Sequence, residues 1–271
     1  MIKRIALCLT ILLLLAVAAQ ADFTFVQISD THIAKDPAFS ARYTEVVRQI
    51  NKLKPDFVIH TGDAIMGLSP ENAALFKDIG KPLTVPMYLV PGNHDVGRPT
   101  EIKPRKIAAW KEAFEYDRIS FQHEDCAFIG LNSNLWASGL PEEKEQLDWL
   151  KSELKNAEGK RIFIFQHHAP FIDKPSDPNG GYFTIDNPAR SELLDLFKAG
   201  HVEAVLTGHV HRSNESVYDG ICFVSTPATS FSCDPDQGLT GYRVFRVSTG
   251  GFTHKVVDLR TAGSPPDFQQ K

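Results

Sequence analysis

Short, nearly continuous apolar runs alternate along the chain with longer stretches in which apolar residues recur every three or four positions. The two periods predict strands and helices in turn. Phe23–Ser29 (FTFVQIS), Asp56–His60 (DFVIH), Pro86–Val90, Arg161–Phe165 (RIFIF) and Val202–Leu206 have the strand pattern. Ser40–Leu53 has the helical one, with Tyr43, Val46, Val47 and Ile50 on one side. Pro70–Ile79 comes after Ser69, a residue suited to cap a helix, and Lys103–Phe114 is a further helix. Pro141–Lys155 carries Leu147, Leu150 and Leu154 on one stripe. Asn187–Lys198 has Pro188 in its expected first turn and Gly200 just past its end. Arg118–Asn132 predicts strand, turn and strand; from Asn214 onward the pattern is strands and turns only. Asp173–Gly181 (DKPSDPNGG) is a loop by its Pro, Gly and Asn content. The sum is one α/β domain with a β-rich C-terminal third, better served by mixed sheets between helices than by a uniform βαβ barrel.

The N-terminus changes this picture. Lys3 and Arg4 precede an apolar stretch, Ile5–Val17, and then Ala19-Gln20-Ala21, a small-x-small site. That layout predicts a secretory signal peptide over residues 1–21. The apolar run is shorter than the ~20 residues a membrane-spanning helix needs, so no stable anchor is expected once it is cleaved. Cys8 lies inside the apolar run, which argues against a lipid-anchored start. The expected organisation is therefore a signal over 1–21, one domain over 22–260 and a polar tail over 261–271, in an exported protein that is periplasmic or secreted. Without Lys3 and Arg4 the chain has 27 basic and 33 acidic residues, a formal charge of −6. That balance disfavours long nucleic acids and anionic membranes as partners. Cys126, Cys222 and Cys233 allow one disulfide in an exported protein, with the pairing open, and there is no CxxC.

The residues just past each strand are more specific than the strands themselves. Asp30-Thr31-His32 comes after the first, Thr61-Gly62-Asp63 after the second, and Asn93-His94-Asp95 after the third, beyond Pro91-Gly92. Gln166-His167-His168 and Gly208-His209-Val210-His211 come after the later two. Ligands gather at the carboxyl ends of strands in open α/β sheets. Any one of these residues alone is explained by a cap or a turn; five strand ends with metal-ligand residue types are not. Imidazole suits zinc, iron and copper, whereas carboxylate and amide oxygens suit harder ions. Seven donors exceed what one ion takes and suit two ions sharing a carboxylate, about 3.5–4 Å apart.

The series Asp30-x-His32, Gly62-Asp63, Gly92-Asn93-His94-Asp95, His167 and Gly208-His209-x-His211 resembles the calcineurin-like metallophosphoesterases, in that family's order and with no motif missing. The resemblance extends to the purple acid phosphatase and class III phosphodiesterase superfamily, with one departure. Purple acid phosphatases have a tyrosine three residues after the bridging aspartate, and Met66 stands there in this chain. A tyrosinate-bound ferric ion is therefore not expected. The resemblance implies a four-layer αββα sandwich of two mixed β-sheets flanked by helices, with a binuclear site at the carboxyl edge. It implies one ion on Asp30, His32, Asp63 and His211, and a second on Asp63, Asn93, His167 and His209, with Asp63 bridging. The ions would be transition metals: iron, manganese or zinc. Either His167 or His168 could be the ligand; the family pattern favours His167, and strand alternation would turn His168 the other way, to stand behind the ligands or to face the substrate. His94 would act beside the phosphate, stabilising charge or protonating the leaving oxygen, and Asp95 would orient it.

The expected activity is hydrolysis of a small phosphomonoester or phosphodiester by a hydroxide bridging the two metals. The competing expectations are a non-catalytic metal- or phospholigand-binding protein on the same fold, and a nucleotide pyrophosphatase or nuclease. Retention of His94 disfavours the first of these. Trp136 either covers the site or packs in the core, and the loops Asp173–Gly181 and Ala137–Leu140 are expected to shape the pocket.

Overall fold

The computed structural model describes residues 23–233 and 238–260. The expected signal segment and the tail from 261 lie outside the described residues.

Two sheets stack face to face. The first has the order β11-β10-β1-β2-β3 and the second β4-β5-β6-β7-β9-β8. In the first, β1 (Phe23–Ile28), β2 (Phe57–His60) and β3 (Met87–Leu89) run parallel, while β10 (Gly241–Ser248) and β11 (Gly251–Asp258) are antiparallel additions. In the second, β5 (Cys126–Gly130), β6 (Arg161–Phe165), β7 (Val202–Thr207) and β9 (Ile221–Ser225) are parallel, edged by antiparallel β4 (Ile119–His123) and β8 (Asn214–Tyr218).

The period-2 pattern of each strand decides what it packs against. Phe23, Phe25, Phe57 and Ile59 face the second sheet, where they meet Phe128, Phe163, Phe165 and Leu206. The alternate residues Val26, Ile28 and Val58 face outward onto α1 (Pro37–Leu53), α2 (Pro70–Gly80) and the Trp110-bearing α4 (Pro104–Phe114). On the far side, Ile162, Ile164 and Val205 face α5 (Pro141–Asn156) and α6 (Ala189–Ala199). The result is helices, sheet, sheet and helices: the expected αββα sandwich.

Several boundaries differ from the sequence expectation. Helix α1 begins at Pro37 rather than Ser40, because Asp36 caps it by accepting the Ala38 N–H at 2.8 Å. Helix α6 begins at Ala189, so Pro188 precedes the helix instead of lying in its first turn. A four-residue helix, α3 (Asn93–Val96), lies just after β3, too short for any periodic signal. Cys126, Cys222 and Cys233 are all free thiols, so the one bridge the sequence allowed is not formed among the described residues.

Phe25 is the centre of the inter-sheet layer. Its ring stacks on Phe245 and Phe57 at centroid distances of 4.6 and 5.2 Å and meets Phe128 edge-on at 5.3 Å. Phe25→Ala should therefore destabilise the protein by about 3–5 kcal/mol, read as a lowered denaturation midpoint with an unchanged denaturant slope.

Candidate metal centre

The carboxyl ends of β1, β2, β6 and β7 and the start of α3 converge at one edge of the sandwich. Five of the residues there, Asp30, His32, Asp63, His209 and His211, have left-handed backbones with φ between 48° and 67°. Non-glycine residues accept that conformation at a cost of about 1 kcal/mol or more each, and it concentrates at functional sites. Here it turns each chain sharply out of its strand so that the side chain points back across the sheet edge.

The two aspartates are held by their outer oxygens. Asp30 Oδ2 accepts from Ser29 Oγ at 2.5 Å and from the His209 N–H at 3.0 Å. Asp63 Oδ1 accepts the His94 N–H at 2.7 Å. Their other oxygens, Asp30 Oδ1 and Asp63 Oδ2, point inward, and Asp30 Oδ1 is a buried atom with no hydrogen-bond donor.

The imidazoles are held the same way. A backbone carbonyl can only accept, so it fixes which ring nitrogen carries the proton. His167 Nδ1 lies 2.8 Å from the Thr61 carbonyl, His211 Nδ1 2.9 Å from that of Phe231, and His209 Nε2 2.6 Å from that of Tyr182. In each neutral ring the remaining nitrogen therefore presents a lone pair. Those lone pairs face other acceptors. His211 Nε2 is 3.1 Å from both Asp30 Oδ1 and His32 Nε2. His167 Nε2 is 3.1 Å from Asn93 Oδ1, 3.1 Å from His209 Nδ1 and 3.2 Å from Asp63 Oδ2. Lone pairs packed against lone pairs need a cation or a proton between them. Two donors about 2.1 Å from one ion are separated by about 3.0–3.4 Å at tetrahedral or octahedral angles, which matches these distances. The donors fall into two groups, Asp30/His32/His211 and Asn93/His167/His209. Asp63 Oδ2 reaches both, at 3.8 Å from His32 Nε2 and 3.2 Å from His167 Nε2. The residues present thus fit divalent metal ions.

Electrostatics agree. Burial raises the Asp30 carboxyl, but His211, His167 and His32 outweigh it and hold the group well below the usual carboxylate range. Burial raises Asp63 as well, and His167 and His32 outweigh it in the same way. Burial drives His32 and His209 down to about 4. For His167 burial also opposes charge, but the Asp63 carboxylate lifts it to about 9. In the metal-free protein a proton on His167 thus offsets part of the negative charge that a bound cation would otherwise balance.

All seven expected ligands are brought together, and two expectations need correction. Asp95 does not orient His94. Its carboxylate accepts the backbone N–H groups of Gly92 (2.7 Å), Ile65 (3.0 Å) and Ala64 (3.2 Å). It ties the loop after β2 to the loop after β3, so its effect on the site runs through Asp63 and Asn93. Nor does His168 turn away. The strand ends at Phe165, so alternation no longer applies, and the His168 ring lies 4.3 Å from that of His209. His168 Nδ1 is 2.9 Å from Ser133 Oγ, which also accepts the His168 backbone N–H. His94 is half-buried, its ring 4.8 Å from that of His32. Trp136 does both things: it packs buried in the core, its indole N–H on Gln166, and it also borders the cavity beside the centre.

Beside the centre lies a cavity of about 380 Å³ bordered by Arg98, His168, Tyr182, Asn179 and Asn187, with Ala137 from the second expected loop. The sequence draws notice to Ser29, which is no activated nucleophile, and to the stretch Tyr182–Ile185, which is similar to one in a branch with protein phosphatases and small phosphodiesterases, but not to their bonds with Asp30, Asn93 and His209, nor to the carbonyls of Thr61 and Phe231. Carbonyls carry no residue identity, so no sequence signal marks them.

A sheet-edge pair of carboxylates ringed by imidazole lone pairs defines a metallohydrolase-type centre. The chain belongs to the calcineurin-like phosphoesterase family, whose model matches residues 23–213. Among its relatives is the serine/threonine-protein phosphatase CPPED1 of Danio rerio, 30% identical over 231 residues, with 79% of this chain and 73% of that protein covered. Another is the probable glycerophosphodiester phosphodiesterase GpdQ of Arcobacter nitrofigilis, 31% identical over 219 residues, covering 76% and 78%. The fold is also that of a dimetal phosphatase from Danio rerio, at a TM-score of 0.66 and 15% identity, covering 88% of this chain and 97% of that one. The chain is thus an enzyme of the phosphoric ester hydrolase class, with phosphatases and phosphodiesterases among its relatives.

Close approach makes two glycines irreplaceable. A Cβ on Gly92 would lie 2.2 Å from Asp63 Oδ1, and one on Gly208 1.8 Å from Ser29 Oγ. Gly208→Ala should displace Asp30 and lower bound metal per chain, measured by elemental analysis, while the far-ultraviolet dichroism of the fold persists. Asp95→Ala strands three buried N–H groups, each costing about 1–3 kcal/mol. It should lower both the unfolding midpoint and the metal content.

Proposed function

We propose that the protein is an exported, binuclear metal-dependent phosphoesterase that hydrolyses small phosphomonoesters or phosphodiesters. The observation that carries this is the division of the inward-facing donors into two groups joined by Asp63 Oδ2. One group would be Asp30, His32, Asp63 and His211, and the other Asp63, Asn93, His167 and His209. Two bound divalent ions (iron, manganese or zinc) would supply the positive charge that polarises a phosphoryl group and the acidity that makes a water a nucleophile near neutral pH.

The chain's own residues then do the rest. Asn93 gives its amide oxygen to the centre while its Nδ2 donates to Tyr182 Oη at 3.3 Å, which fixes the amide's orientation. His94 sits at the mouth, half-buried, where its ring can donate a proton to the leaving oxygen or stabilise charge on phosphorus-bound oxygens. Ser133 Oγ accepts the His168 backbone N–H and lies 2.9 Å from His168 Nδ1; in this reading the hydroxyl gives its proton to Nδ1, so the single ring proton of His168 is on Nε2 and the ring is a neutral donor at the cavity wall. Burial, with His209 and His167, keeps it uncharged well below its ordinary range. Arg98, over the Tyr182 ring at 5.5 Å and paired with Glu101, borders the same cavity.

A cavity of about 380 Å³ suits a small leaving group and supports a small-molecule ester over a long nucleic acid. The acidic balance of the chain supports the same choice. The names of the relatives span both phosphatase and phosphodiesterase, so both ester classes belong in the assay. Export rests on the basic start, apolar run and Ala19-Gln20-Ala21 site. Among the described residues, no helix is long and apolar enough to cross a membrane.

Protein loaded with manganese, iron or zinc should hydrolyse an aryl phosphomonoester, an aryl phosphodiester or both, and lose that activity to a chelator. Failure on both ester classes with every metal would overturn the proposal. His94→Ala should lower kcat by about 10²–10⁴-fold with the metal content unchanged. Asn93→Ala should lower both kcat and metal content.

A further inference from the structure

The segment from Ala169 to Pro188, between β6 and α6, forms a strap across the mouth of the site. Its backbone has no helix or strand to hold it beyond one isolated bridge between Ala169 and Thr184. Side chains of the strap itself (Asp177, Asn179, Thr184 and Asp186) accept some of its N–H groups, and one buried side chain from outside gathers two of its stretches. Arg190, in the first turn of α6, is 1% exposed. Its Nε donates to the Ile185 carbonyl at 2.8 Å. Its Nη1 donates to the carbonyls of Pro175 (3.1 Å) and Asp177 (2.6 Å). Its Nη2 donates to the Pro178 carbonyl (3.4 Å) and to Thr184 Oγ1 (3.2 Å). Every one of these acceptors belongs to the strap. A buried guanidinium is costly unless its donors are paired, so the folded strap and the buried Arg190 require each other. The planar fork draws together two stretches, 175–178 and 184–185, that a single ammonium could not span.

Tyr182 lies on the strap between those two stretches, and it touches the metal centre twice. Its carbonyl accepts from His209 Nε2 at 2.6 Å, and this is the bond that turns the Nδ1 lone pair of His209 inward. Its hydroxyl accepts from Asn93 Nδ2 at 3.3 Å. Asn93 comes after a strand of the first sheet and His209 after a strand of the second, and both belong to the same donor group. Among the described residues the strap makes no such tie to the other group: His211 is oriented by the carbonyl of Phe231, outside the strap.

We propose that Arg190 is a positioning residue which, through the strap and Tyr182, sets the cation affinity of the Asn93/His167/His209 half of the centre independently of the Asp30/His32/His211 half. The assignment rests on the two-cation reading of the site. It makes the two half-sites unequal by construction: His211 of one takes its carbonyl from the loop after β9, and the other is completed by the strap that borders the substrate cavity.

The test is metal release from the loaded full chain into excess chelator, monitored with a colorimetric metal indicator, for wild type and Arg190→Lys. Wild type should release two ions per chain. In Arg190→Lys one ion should leave about tenfold faster or more, the size of effect expected when a group that orients a ligand is lost. The other ion should leave at its wild-type rate. In an Asn93→Ala background, Arg190→Lys should not alter release of the remaining ion. A merely structural role would accelerate both ions together, and that result, or no change in either, overturns the proposal. Should Arg190→Lys not fold, Thr184→Val, which removes one of the five Arg190 bonds and the Gly180 N–H bond within the strap, should accelerate the same single ion by a smaller factor; acceleration of both ions alike, or of neither, overturns the proposal. A wild type that binds fewer than two ions would overturn the two-cation reading itself, a result distinct from a failure of the strap assignment.

Discussion

The site depends first on the aromatic layer between the two sheets. Asp30, Asp63 and Asn93 come after strands of one sheet, and His167, His209 and His211 after strands of the other. Neither sheet holds a complete centre. The spacing and rotation of one sheet on the other are set by Phe25, Phe57, Phe128, Phe163, Phe165 and Phe245, whose rings interlock between them. Because such interiors are close-packed, a change in that layer moves one set of donors against the other. The core thus acts as the rigid mount that a metal centre requires.

On that mount the chain concentrates features that oppose stability. Asp30 Oδ1 and His32 Nδ1 are buried without a hydrogen-bond partner, and five neighbouring residues hold left-handed backbones. Each costs free energy in the metal-free protein. A bound cation would offset the charge and lone-pair terms together, so metal binding and local order are expected to be linked. The outer oxygens and ring nitrogens are meanwhile occupied by Ser29, by backbone N–H groups and by carbonyls. Those bonds are made before any ion arrives, and preorganisation of this kind is what lets a site act electrostatically without first rearranging.

Asp95 illustrates how a residue adjacent to chemistry is used for architecture. Its neighbour His94 invites a carboxylate–histidine pairing. Instead the carboxyl accepts three N–H groups from two loops; burial and the Asp63 charge push it up from the usual range, against the pull of those three donors. It is the joint between the β2 and β3 ends. The strap joined to Arg190 plays the corresponding part between the sheets, reaching Asn93 on one and His209 on the other.

The sequence by itself determined the strands, most of the helices and which Asp, His and Asn side chains gather at one sheet edge. Those signals are local: a period of two or of 3.6, and polar residues directly after an apolar run. It therefore located Asp30, His32, Asp63, Asn93, His167, His209 and His211 correctly in one cluster. Only the tertiary structure decided what orients them. The direction of His168 depends on where β6 stops, the partners of Asp95 lie on a different loop, and three imidazoles are aimed by carbonyls that any residue could supply. Arg190 was visible as a residue but not as an organiser, because its five acceptors are fixed by the path of the strap and not by the side chains along it, Thr184 excepted. Donor types are written in the side chains; their orientation is written in backbone contacts between segments far apart in the chain, and these exist only once the two sheets have packed.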